Sequence, residues 1–182
     1  MHAAIAIEEI ALFLEERLAD LRPDDKNGEE REIAVYRYFF PEPASAQMTA
    51  NADETRPEDY KGIMPAVVVS PLTYEDKALE DQSSLISVSL LVGAFSTDPM
   101  NVEGARAVVN ILERIRREIL TYRLVGEAFE IVEPLTWQMY DDEKRPLWFG
   151  EMISQWRILN PFRIDAEDWK GDFIVPQKES EK

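Results

Sequence analysis

Residues 85–120 read LISVSLLVGAFSTDPMNVEGARAVVNILERIRREIL, and this stretch decides the fold. In its first part Ile86, Val88, Leu90 and Val92 alternate with Ser87, Ser89, Leu91 and Gly93, the period-two pattern of a strand. Asp98 then offers an N-cap, and Pro99 suits the first helical position, where its missing N–H is not needed. Val102, Ala105, Val108, Val109, Leu112, Ile115 and Ile119 follow at helical spacing. The reading is strand, short turn, helix, with Arg114, Arg116, Arg117 and Arg123 falling toward the helix C-terminus, where positive charge complements the dipole.

Upstream, Ile7, Ile10, Leu14, Leu18 and Leu21 recur every three or four residues among acidic positions, which predicts an amphipathic helix over residues 3–22. Arg22-Pro23 stops it, and Asp24 to Gly28 carries turn residues. EIAVYRYFF, Glu32 to Phe40, reads as a strand by its β-branched and aromatic content. Pro41 to Gly62 is poor in large apolar groups and reads as a loop of 22 residues, long enough to be a contact arm or an insertion. Ile63 to Val69 predicts a short strand buried on both faces, ended by Pro71, with an acidic insertion over Tyr74 to Ser84.

Downstream, Phe129, Ile131, Leu135, Trp137 and Met139 mark a long strand over Ala128 to Tyr140, in which Glu133-Pro134 predicts a bulge or an edge. Asp141 to Pro146 is a charged connection. Leu147 to Leu159 alternates again, with Trp148, Met152, Trp156 and Ile158 in one set, so the two strands should form an antiparallel hairpin. The order implies an α+β domain over residues 1–163: a mixed, mostly antiparallel sheet of about five strands, two helices packed on one face, and a long β-hairpin. Residues 164–182 read as a C-terminal arm with apolar anchors.

Composition narrows the chemistry. The chain has 182 residues, no Cys and one His, His2, which excludes disulfides, thiolate metal sites, a Cys nucleophile and any site needing two imidazoles. Its seven glycines are too scattered for a glycine-rich phosphate cradle. A formal charge of −16 opposes gripping a phosphate backbone, so no specific nucleic-acid binding is expected. Apolar runs are strand-sized, which predicts no membrane-spanning helix, and Glu8 and Glu9 within the first apolar stretch do not fit a secretory leader.

Acidic pairs at Asp24-Asp25, Glu58-Asp59, Glu75-Asp76, Glu80-Asp81 and Asp141-Asp142 offer oxygen ligands, but they lack calcium-loop spacing and read first as solvated loops. No metal or cofactor is expected. Arg106, Arg114, Arg116, Arg117 and Arg123 make the second helix a local basic site, either a solvated face with local ion pairs or a receptor for an acidic loop of a neighbouring copy. The hairpin aromatics Phe129, Trp137, Tyr140, Trp148, Phe149 and Trp156 divide between two faces, of which the helices can cover one. The candidate oligomer contacts are therefore Arg114, Arg116, Arg117, Arg123, Trp137, Tyr140, Trp148 and Phe149.

The ordered strings PAVVVSPL (65–72), ISVSLLVGAFS (86–96), Asn101-x-Glu103-Gly104 with Leu112, PLTWQMYD (134–141) and WFGEMISQW (148–156) carry a resemblance. The chain resembles the tail terminator, or tail completion, proteins of long-tailed bacteriophages and prophages, minor tail proteins that close the head-proximal end of the tail tube. The resemblance spans residues 63 to 160 and, more loosely, the first helix. It implies a non-enzymatic α+β subunit that assembles into a ring, commonly a homohexamer, with the tail tube protein and the head–tail connector as partners. It also implies a virion-tail location after assembly in the bacterial host cytoplasm, with DNA passing through the ring. The Pro41 to Gly62 loop, the acidic insertion and the arm after Pro161 depart from the family pattern. The alternatives are a head–tail joining or neck protein of the same assembly and a small metal-dependent hydrolase using loop carboxylates.

Overall fold

A computed structural model of the chain describes residues 2–23, 31–43, 57–76, 84–97, 102–140 and 146–158. In chain order the elements are α1 (His2–Leu18), β1 (Ala34–Arg37), a 3-10 helix (Pro57–Gly62), β2 (Ala66–Asp76), β3 (Ser84–Phe95), α2 (Val102–Tyr122), β4 (Leu124–Val125), β5 (Phe129–Tyr140) and β6 (Leu147–Ile158). The strands form one sheet in the order β1-β2-β3-β6-β5-β4. β1 runs parallel to β2, and every other neighbouring pair is antiparallel.

This is the α+β architecture that the patterning implies, with six strands where about five were expected. The sixth, β4, has two residues and leaves no period to read in the sequence. It arises because α2 ends on Arg123 in the left-handed region (φ 57), whose N–H donates to Ile119 O at 2.8 Å. Positive φ at Gly126 (56) and Glu127 (59) then turns the chain tightly into β5.

The core lies between the sheet and both helices. α1 contributes Ile7, Ile10, Leu14 and Leu18, α2 contributes Val108, Ile111, Leu112, Ile115 and Ile119, and the strands contribute Val67, Val69, Ile86, Val88, Leu90, Val92, Ile131, Met152 and Trp156. Register explains this selection. Met152 pairs with Leu90 on one side and Trp137 on the other, so these three share the helix-bearing face, while Glu151 pairs with Leu91 and Gln138 on the outer face. The outer face has its own smaller cluster of Met64, Ala66 and Leu147, packed against by Tyr36, Phe40, Tyr60, Phe95 and Phe149.

The helices are tied to each other and to β1 by arginines. Arg17 lies over the ring of Tyr122 at 4.0 Å, and Phe13 meets Tyr122 edge-on at 5.8 Å. Arg114 of α2 bonds Asp20 at 3.0 Å and the Arg17 carbonyl at 3.2 Å. Arg37, ending β1, binds Glu15 and Glu8 of α1. Its pKa is raised above the ordinary arginine value, first by the hydrogen bond to Glu15 and further by Glu8, against the opposing effect of burial.

Three expectations are corrected. β1 is shorter than Glu32 to Phe40, because Tyr38 turns into the left-handed region (φ 71) and the chain leaves the sheet. Pro71 does not end β2: the strand runs on to Asp76 through a register shift between Pro71 and Thr73, so Tyr74 and Glu75 belong to a strand and not to an insertion. The arginines of α2 also miss its last turn, which has no basic residue, so Arg114 to Arg117 act through side-chain pairs more than through the dipole. The expected bulge at Glu133-Pro134 is present as a register shift between Val132 and Thr136.

Several expectations fall outside the described residues: the Asp98 cap, the Asp24 to Gly28 turn, residues 44–56 of the long loop, residues 77–83, the Asp141-Asp142 pair and the C-terminal arm.

Candidate functional site

Helical spacing brings three of the candidate arginines together. Arg114, Arg116 and Arg117 line a groove of about 580 Å³ with Leu21, Asn110, Glu113, Leu120 and Thr121. A second hollow of about 290 Å³ adjoins it past Leu21, bordered by Arg22, Glu103, Arg106 and Asn110. The result is a basic strip along α2 and the end of α1 in a chain of formal charge −16.

Within this strip the charges are only partly satisfied by firm pairs. Arg114 is held by Asp20 and by Glu118, each at 3.0 Å. Arg116 reaches Glu113 at 3.8 Å and Arg117 reaches Glu118 at 3.9 Å, with the two guanidinium side chains 47% and 64% exposed. Pairs this long and this exposed contribute at most about 1 kcal/mol, so Arg116 and Arg117 can exchange these partners for an incoming carboxylate at little cost. Arg123 lies elsewhere, beyond the end of α2, and pairs with Glu133 at 3.1 Å.

The aromatic candidates separate. Trp137 shares a face with Met152 on the helix side, near the sheet edge, and is 37% exposed. Trp148 packs against the main core beneath the N-terminal turn of α2, with Gly104 directly against its indole. Tyr140 pairs with Phe149 in register on the outer face, where Phe149 also meets Phe40 at 6.0 Å between ring centroids. The structure thus gathers the arginines of α2 but distributes the aromatics over both faces and the interior.

One polar arrangement escaped the sequence reading. On the outer face Glu151 accepts hydrogen bonds from Ser89 and from the hydroxyl of Tyr140, to which Gln138 donates at 3.4 Å. Its only sequence signal is an acidic residue at an alternating strand position, which also describes a solvated side chain. The arrangement fixes a negative charge on the outer face by two hydroxyl donors, which suits a rigid contact surface.

Among the described residues no three His, Asp or Glu side chains gather in a way that could hold a metal ion. Among them also, no helix is long and apolar enough to cross a membrane. No protein-family model matches the chain, and no curated protein matches it either.

Proposed function

We propose that the chain is a structural tail protein of a bacteriophage or prophage, a terminator subunit that closes the head-proximal end of the tail tube as a ring. The observation that carries this reading is the arrangement of the stretches that resemble the family. They form β2, β3, α2, β5 and β6, which are contiguous in one sheet with one helix across it. In this reading the basic strip of α2 receives an acidic segment of a neighbouring copy. A heterologous contact of that kind, repeated around a rotation axis, closes a ring. The outer face and the opposite ring surface remain for the tube protein and the head connector.

The test is tube growth in vitro. Purified tail tube protein should polymerise to shorter tubes, each capped at one end, when the chain is added, as read by electron microscopy. Unchanged tube length with no co-sedimentation would overturn the proposal. Binding to the connector without binding to the tube would move the chain to a neighbouring position in the neck.

A further inference from the structure

Among the described residues the sheet has two half-edges without a neighbour. β1 pairs only with Ala66 to Val69 of β2, because positive φ at Tyr38 carries the chain off the edge. β4 pairs only with Phe129 and Glu130 of β5, because it is two residues long. Among the described residues no strand lies beside Ser70–Tyr74 of β2 or Leu135–Met139 of β5. Pro71 brings no N–H and the register shift leaves Leu72 unpaired, so the regular part of the β2 edge that β1 does not reach is Thr73–Asp76, four residues spanning about 14 Å, against the five of Leu135–Met139.

The two runs are complementary. Counting antiparallel steps through β3 and β6, β5 runs antiparallel to β2, so placing two sheets side by side sets one edge antiparallel to the other. They are offset along the strands: Thr73–Asp76 flanks Ser87 to Ser84 of β3, which pair with Gln155 to Ile158, while the β5 run flanks Gly150 to Ile153. Three exposed large apolar side chains stand at these edges, Leu72 (49% exposed) at the register shift, Tyr74 (41%) and Trp137 (37%). Tyr74 pairs with Ile86 and Trp137 with Met152, so both aromatics project from the helix-bearing face, as a cross-strand pair requires. The β5 run carries no charge, whereas β2 ends in Glu75-Asp76, so like ends of two β2 edges would crowd carboxylates that a β5 edge does not.

We infer that the occupant of each edge is the other edge of a second copy: Leu135–Gln138 of one subunit pairs antiparallel with Thr73–Asp76 of the next, with Trp137 opposite Tyr74, and the sheet continues from subunit to subunit. This rests on the ring reading above and adds a backbone contact beside the one made by the basic strip. Every copy gives one edge and receives one, and the half-strand offset is absorbed by tilting the strands to the ring axis, as in a closed barrel.

The absence of Cys makes the test direct. Tyr74→Cys and Trp137→Cys are prepared separately and joined with a bis-maleimide of about 8 Å reach, which covers opposite and diagonal cross-strand neighbours. The mixture should yield cross-linked dimer, and either variant alone should not. In parallel, Trp137→Lys should weaken self-association about tenfold while leaving the circular dichroism spectrum unchanged, since a lysine on an exposed edge blocks strand addition. Cross-links formed as readily within one variant, or a discrete oligomer with none between the two, would overturn the edge contact and leave the ring reading standing. A wild-type chain that stays monomeric at high concentration and beside the tube protein would remove both.

Discussion

Trp156 is fully buried, and its indole N–H donates to Ser154 Oγ at 2.9 Å, while the Ser154 hydroxyl donates on to Val88 O at 3.3 Å. A hydroxyl two residues away on the same strand face is what allows the largest side chain of the core to carry a polar atom there. Ser154→Ala strands that N–H in an apolar interior and should cost about 1–3 kcal/mol, measured as a shift in the denaturant midpoint at constant slope. Gly104 poses the opposite problem. Alanine would gain about 1 kcal/mol of helix propensity, but its Cβ would overlap the Trp148 indole, a rigid group pinned between α2 and the sheet. Overpacking of that kind costs about 1–3 kcal/mol, so Gly104→Ala should lower stability in thermal unfolding, and a rise would show that Trp148 can move aside.

At the scale of elements, β1 is four residues long and depends on α1 for its position. Arg37 supplies two ties to α1, and because its pKa is raised, its charge is fully present at neutral pH and on the alkaline side the stabilisation is lost above the ordinary arginine range. Arg37→Ala should cost about 1 kcal/mol, with exchange protection of the backbone amides lost first in β1. What the sequence reveals follows the same logic of local against distant causes. The strand at Ile86 to Val92 and the helix at Val102 to Ile119 are legible because one face of each is buried and the pattern repeats. The end of β2 is not, because a proline rule that holds within a ladder yields where a bulge absorbs the missing donor beyond the reach of β1. β4 has no signal of its own. The basic strip is legible from the spacing of Arg114 and Arg117 on one helix, whereas the seat of Trp148 against Gly104 and the hydroxyl pair on Glu151 are made by residues far apart in the chain.

At the scale of the molecule, a basic strip on α2 and two sheet edges that are open among the described residues occur together in a chain with an excess of carboxylates. The exposed pairs at Arg116 and Arg117 add little to the fold, so reversing both charges, Arg116→Glu with Arg117→Glu, should change unfolding by less than about 1 kcal/mol. The same double variant should weaken self-association, and salt should weaken the wild-type contact in the same direction, since exposed charges are screened beyond about 10 Å at 0.1 M. Unchanged assembly in the variant would remove the strip from the contact. The central claim is that the chain is a ring subunit, and the most direct test is its mass in solution by light scattering across protein and salt concentration. A ring subunit should give a discrete, closed oligomer near six copies of the 21.0 kDa chain, falling toward smaller species as salt rises. A mass that stays at one copy at every concentration, with or without the tube protein, would contradict it.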